Sequence, residues 1–200
     1  METIILASSS PRRAEYFKLL GLPFVCVPSL ADETIAAHMD GKAAAEELAV
    51  RKITSVLARY ESDTADTEKP LWICGADTVI EFEGKLYGKP LDRPDAQRML
   101  KTLQGKTHHV ISAVALYSAR SGITDSRPVS SLVTFAPLTE GEIRWYLESG
   151  EWQDAAGAYK IQGLASCFIS GIQGSYSSVV GLPLREFYVM LRDNGYPYGS

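Results

Sequence analysis

The chain has 200 residues, of which 46% are hydrophobic and 22% charged, the composition of a globular domain rather than a fibrous, collagen-like or disordered chain. With 20 Lys and Arg against 24 Asp and Glu the net charge is −4, so the surface as a whole does not attract nucleic acid or anionic lipid, and an anionic ligand must be held by a local site. This length implies one domain, 1–200, or one folding unit with a cleft between two lobes.

In chain order, Thr3 to Ala7 is a short β-branched run that predicts a strand. SSSP breaks it, and Arg12 to Leu20 places Tyr16, Phe17, Leu19 and Leu20 at helical spacing until Gly21. The opening METIILASSSPRR has too few apolar residues before its polar turn for a signal-peptide core or a membrane span. Phe24 to Val27 reads as a strand. Lys42 to Tyr60 reads as a long helix with Ala45, Leu48, Ala49, Lys52, Ile53, Val56 and Leu57 on one face, Lys52 being out of character there. The acidic stretch 61–69 has no periodicity and reads as a surface loop.

A buried strand starts at Leu71 and continues into a hairpin turning near Glu83-Gly84. A helix over Asp92 to Leu103 follows, then antiparallel strands at His109 to Tyr117 and Val129 to Ala136 around Ser121-Gly122. Thr139 and Glu142 predict a capping box for a helix through Leu147. A strand at Leu164 to Ile169, a Gly-rich loop over 171–181 and an amphipathic helix from Pro183 to Leu191 complete the chain. Strands mixed with helices imply an α/β or α+β fold on a mixed sheet. Cys26, Cys74 and Cys167 lie in apolar stretches and read as buried thiols of a reducing, cytoplasmic compartment.

Four groups of residues could carry chemistry. Ser8-Ser9-Ser10-Pro11-Arg12-Arg13 joins a strand to a helix, with Ser10 at the cap and Pro11 at the first turn. Hydroxyls, free N–H groups and two guanidinium forks there make either a phosphate site or a well-capped helix with two solvated arginines. Gly75-Ala76-Asp77-Thr78 puts an acid after an apolar strand, where it serves as a proton acceptor or cation ligand, or as an Asx turn. Asp32-Glu33 is a further acidic pair in a loop. Lys52 and Lys89 are point charges suited to phosphate oxygens, and Lys52 equally suits the edge of a core. Residues 154–163, DAAGAYKIQG, read as a Gly-rich active-site wall or a surface loop, with Gln162 offering both an amide donor and an acceptor. His108 and His109 face opposite sides of a strand and are left out of the site.

Taken together, LASSSPRR at 6–13, GADTVI at 75–80, GKP at 88–90, the strand at 108–116, DAAGAYKIQG at 154–163 and GSYSSVVGLPL at 174–184 resemble the Maf family, in order along nearly the whole chain. The resemblance implies an α/β fold similar to inosine triphosphatases: a mixed twisted sheet with flanking helices, in two lobes around a central cleft, often as a homodimer. It implies a nucleoside triphosphate pyrophosphatase that uses a divalent metal, Mg²⁺ or Mn²⁺, and no nucleic-acid or membrane partner is expected. Residue by residue, Asp77 matches the family's proton acceptor, and Arg12, Thr78 and Gln162 match positions tied to substrate choice. Ser8, Arg13, Glu33, Lys52 and Lys89 match polar cleft positions, Glu33 beside Asp77 as a metal contact. ADT at 76–78 and IQG at 161–163 look like the branch acting on dTTP and UTP. Ala155 departs from the pattern, which usually has lysine there; Lys160 would compensate only if it faced the cleft. The alternatives are a pyrophosphatase for modified nucleotides and a non-catalytic nucleotide-binding regulator of cell division.

Overall fold

The structure, a computed structural model, describes residues 1–36, 39–62 and 70–198. The elements in chain order are β1 (Ile4–Leu6), α1 (Pro11–Leu19), β2 (Phe24–Cys26), α2 (Gly41–Ser62), β3 (Trp72–Phe82), β4 (Lys85–Tyr87), α3 (Arg93–Leu103), β5 (Thr107–Ser118), β6 (Ile123–Phe135), α4 (Glu140–Glu148), β7 (Ile169–Gln173), α5 (Tyr176–Val180) and α6 (Leu184–Asp193). The strands form one seven-stranded mixed sheet in the order β2-β1-β3-β5-β6-β7, with β4 also on β3. β1 pairs in parallel with both β2 and β3, Leu6 lying opposite Cys26 and Cys74, whereas β4 and β7 pair antiparallel. This is the α/β architecture expected from the sequence. None of the described helices is long and apolar enough to cross a membrane.

Two compact units divide the chain: Met1–Asp77, Ser112–Pro128 and Gly181–Ser200 form the first, Thr78–Ile111 and Val129–Val180 the second. The first is built on Ile4, Leu6, Phe17, Trp72, Phe187 and Met190. Phe17 of α1 lies 5.2 Å from Phe24 and 5.1 Å from Phe187, ring centroid to centroid, so the helix is pinned by aromatic contacts rather than by its short length. The second is built on Ile80, Leu100, Leu103, Phe135, Tyr146 and Phe168. Its helices start where side chains satisfy their first N–H groups: Asp92 accepts from Asp95 N at 2.8 Å, and Thr139 and Glu142 form the expected capping box. His108 is a core residue of this unit, its Nε2 at 2.8 Å from the Tyr159 hydroxyl. Burial pushes its pKa down to about 4, which keeps the ring neutral.

Several expectations are corrected. Leu164–Phe168 is a 3-10 turn, not a strand: Ala165 and Phe168 are buried three residues apart, a period of three rather than two. The strand begins at Ile169, and its half-exposed, weakly apolar sequence ISGIQ concealed it. The Gly-rich stretch is not one loop. Gly171 lies in β7, and Ser175 Oγ accepts from Ser178 N at 3.2 Å at the start of α5. β6 begins at Ile123 instead of Val129. Of the cysteines only Cys74 is buried; Cys26, on the outermost strand β2, and Cys167, on the outer side of the 3-10 turn, are exposed. The acidic stretch begins inside α2, and 63–69 lie outside the described residues.

Gly75 decides how closely α2 approaches β3. A Cβ there would strike the backbone carbonyl oxygen of Ala49 and approach Ile53 Cγ1 to 3.0 Å. The close approach brings the buried face of α2, Lys52 included, onto the strand that carries Asp77. Gly75→Ala forces backbone apart and is expected to cost about 2 kcal/mol of stability, read from urea unfolding; a variant within about 0.5 kcal/mol of the parent would contradict the close-approach argument.

Candidate active site

Lys52 lies on the apolar face of α2 and is only 6% exposed, a position where an ammonium is tolerated only when paired. Its Nζ is 2.5 Å from Asp77 Oδ1 and 2.9 Å from Glu33 Oε1. The unexpected lysine in the helical stripe is thus the counter-charge of the buried acid in the middle of β3. Asp77 is 8% exposed, while the Glu33 side chain is 42% exposed, so one carboxylate is held inside and the other stands at the solvent side. Two carboxylates on one ammonium leave the trio with a net negative charge.

The turn before α1 supplies positive charge. Ser10 holds the cap position with extended backbone, but its hydroxyl makes no cap bond, contrary to the simplest reading of SSSP. The hydroxyl that organises the turn is that of Ser8: its Oγ accepts from Ser10 N at 3.1 Å and from Arg13 Nη1 at 3.2 Å. Arg13 Nε donates to the Gly181 carbonyl at 2.9 Å, so both edges of the guanidinium are fixed. Burial pushes the Arg13 pKa down, opposed first by the charge of Asp77 and then by Cys74 and Glu33, so Arg13 belongs to the same electrostatic environment as the carboxylates. An arginine stays protonated under such conditions. Burial pushes the Cys74 thiol up to about 12, which leaves it inert as a nucleophile. Nothing in the sequence pairs Arg13 with Gly181, 168 positions away. Arg12 follows Pro11 on α1, half-buried.

Ser8, Arg12, Arg13, Glu33, Lys52 and Asp77 all belong to the first unit, whereas Thr78, Lys89 and Gln162 belong to the second. Thr78 follows Asp77 along β3 with its side chain half-buried. Lys89 and Gln162 are exposed, on segments joined by a hydrogen bond from Gly157 N to the Gly88 carbonyl at 3.0 Å. Gly157 has φ of 65°, a conformation that favours glycine, and a Cβ there would displace the end of the Ile80 side chain. Ala155 is 2% exposed: the residue that departs from the family pattern faces the packing of this unit. Lys160 N donates to the Tyr146 hydroxyl at 3.2 Å, anchoring the loop two residues before Gln162.

Among the described residues no group of three or more His, Cys, Asp or Glu side chains forms a ready metal cage. Asp77 and Glu33 nevertheless converge on one positive charge through hard carboxylate oxygens. That donor set fits Mg²⁺ or Mn²⁺, which commonly take one or two carboxylates and complete their shell with water and phosphate oxygens.

Lys52→Met preserves the shape of the side chain and removes its charge, leaving Asp77 buried without this partner. The expected loss is about 3 kcal/mol in chemical unfolding; no loss would mean that the pair contributes nothing to the fold.

The sequence profile of a family described as Maf-like protein matches residues 3–194. A dTTP/UTP pyrophosphatase of Symbiobacterium thermophilum is 42% identical over 198 residues, 98% of this chain and 96% of its own length. A dTTP/UTP pyrophosphatase of Pelotomaculum thermopropionicum is 41% identical over 196 residues, 98% of each chain. One of Bacillus cereus is 42% identical over 186 residues, 93% of this chain and 92% of its own. With the motifs collinear and the profile matched over nearly the full length, the chain belongs to the Maf family.

Proposed function

We propose that the protein is a nucleoside triphosphate pyrophosphatase that hydrolyses dTTP and UTP to the monophosphate and pyrophosphate. The observation that carries this reading is the buried Asp77 carboxylate held by Lys52, in the electrostatic environment of the fixed Arg13 guanidinium. Such an arrangement sets a carboxylate that can take a proton beside fixed positive charge able to meet a highly charged substrate.

In the proposed reaction a water oxygen bonds to the α-phosphorus, the bond from that phosphorus to the α–β bridging oxygen breaks, and Asp77 takes the proton of the water. Pyrophosphate leaves with the bridging oxygen. Arg12, Arg13, Lys52 and Lys89 neutralise charge on the triphosphate and on the leaving group, and the Ser8 hydroxyl fixes Arg13. A divalent cation, held by Asp77 and Glu33, would supply Lewis-acid stabilisation of phosphate oxygens when bound.

Thr78 and Gln162 carry the choice of base in this reading. The Gln162 carboxamide accepts from N3–H and donates to O4 of uracil or thymine, whereas cytosine presents a different pattern and leaves polar groups unpaired.

The test is pyrophosphate release from dTTP, UTP, CTP, GTP, 7-methyl-GTP and ITP with Mg²⁺ or Mn²⁺. Turnover of dTTP and UTP is expected to exceed the others by at least about tenfold, and Gln162→Glu to erode that preference by a similar factor. Preference for another base would discard the assignment of Gln162, and binding without turnover across the panel would discard the enzymatic reading.

A further inference from the structure

The loop that delivers Glu33 to Lys52 is held by one stripe of α2. Arg51, Ser55 and Arg59 follow one another at four-residue intervals, so they project from the same side of the helix. Arg59 Nη1 donates to the Pro28 carbonyl at 3.2 Å, and Ser55 Oγ accepts from Leu30 N at 3.1 Å. Arg51 Nη1 donates to the Thr34 carbonyl at 2.8 Å and to the Asp32 carbonyl at 3.3 Å, the carbonyls of the residues on either side of Glu33. Its Nη2 pairs with Glu47 one turn earlier, which orients the guanidinium. The loop is also preshaped from within: Asp32 Oδ1 accepts from Thr34 N at 2.9 Å and from Thr34 Oγ1 at 2.7 Å, an Asx turn with Glu33 at its centre. Those two bonds hold the Asp32 carboxyl below its usual range, so it stays an acceptor.

We propose that Arg51, with Ser55 and Arg59 behind it, is a positioning device that fixes loop 28–34 on α2 and so sets the Glu33 carboxylate at Lys52. Each bond alone is a partly exposed contact of small value; four bonds from three side chains in register on one rigid helix remove the freedom of the chain on both sides of Glu33. Arg51 adjoins Lys52 in sequence, so the same turn of α2 holds the carboxylate's backbone through one residue and its charge through the next. This inference rests on reading Glu33 as a functional carboxylate.

A double-mutant cycle separates positioning from general stability. Arg51→Ala is expected to lower kcat/KM for UTP about tenfold in the parent, and less than about twofold in a Glu33→Gln background, because the group it acts through is already gone. The loss should grade along the stripe, from Arg51 through Ser55→Ala to Arg59→Ala, and Ser55→Thr should restore what Ser55→Ala loses. Hydrogen exchange supplies a readout independent of activity: in Arg51→Ala the amides of Leu30 and Thr34 should exchange faster while those in the middle of α2 do not change. Accelerated loop exchange with full activity, or an equal loss in both backgrounds, would overturn the proposal. Full activity of Glu33→Gln alone would refute the reading of Glu33 and with it the clamp's purpose. If the parent itself releases no pyrophosphate, the proposed function fails; unchanged loop exchange in Arg51→Ala would then refute the clamp separately, and accelerated exchange would uphold it as the device that sets Glu33.

Discussion

A lysine ammonium inside the apolar face of a helix is the constraint around which the first unit is arranged. Removing that charge from water is costly, and the cost is offset only because Asp77 and Glu33 both reach Nζ. The pairing demands that α2 lie close against β3, which Gly75 permits by presenting no side chain to the Ala49 carbonyl. It also demands that a carboxylate stand within the largely buried run of β3 from Trp72 to Ile80, at Asp77. Sheet register, helix packing and the position of a buried acid are therefore one problem with one solution.

In the proposed reaction the charge balance around Asp77 supplies the chemistry. Lys52 and Arg13 surround it with fixed positive charge, and fixed charges require no reorganisation when a polyanion arrives. Arg13 is oriented by the Ser8 hydroxyl and the Gly181 carbonyl, which fix the direction of its guanidinium. Glu33 differs from Asp77 in being open to solvent and mounted on a loop. Its precision has to come from elsewhere, and the bonds from α2 to the backbone around it supply that.

Much of this was legible in the sequence because it is local. The apolar run into Asp77, the SSSPRR turn, the capping box at Thr139 and the glycine after Glu83 each declare themselves within a few residues. Lys52 announced itself as an exception to helical periodicity, although the periodicity could not say what paired with it. What escaped was long-range or weakly patterned. Arg13 meets Gly181 across 168 positions, and the outermost strand β7 is too polar to stand out beside the more apolar 3-10 turn that precedes it. The exposure of Cys26 and Cys167 was missed because apolar neighbours describe a segment, not the direction in which one side chain points. The stripe of Arg51, Ser55 and Arg59 lay on the polar side of α2, where charged residues need no partner to be explained.

The central claim is that Asp77 is the proton acceptor and that Lys52 holds it for that task. Single-turnover hydrolysis of UTP by Asp77→Asn, with the fold confirmed by circular dichroism and nucleotide binding measured in parallel, tests it most directly. Loss of the proton acceptor is expected to slow bond cleavage about 10²- to 10⁴-fold with nucleotide binding retained. A correctly folded Asp77→Asn protein that cleaves at close to the parent rate would contradict it.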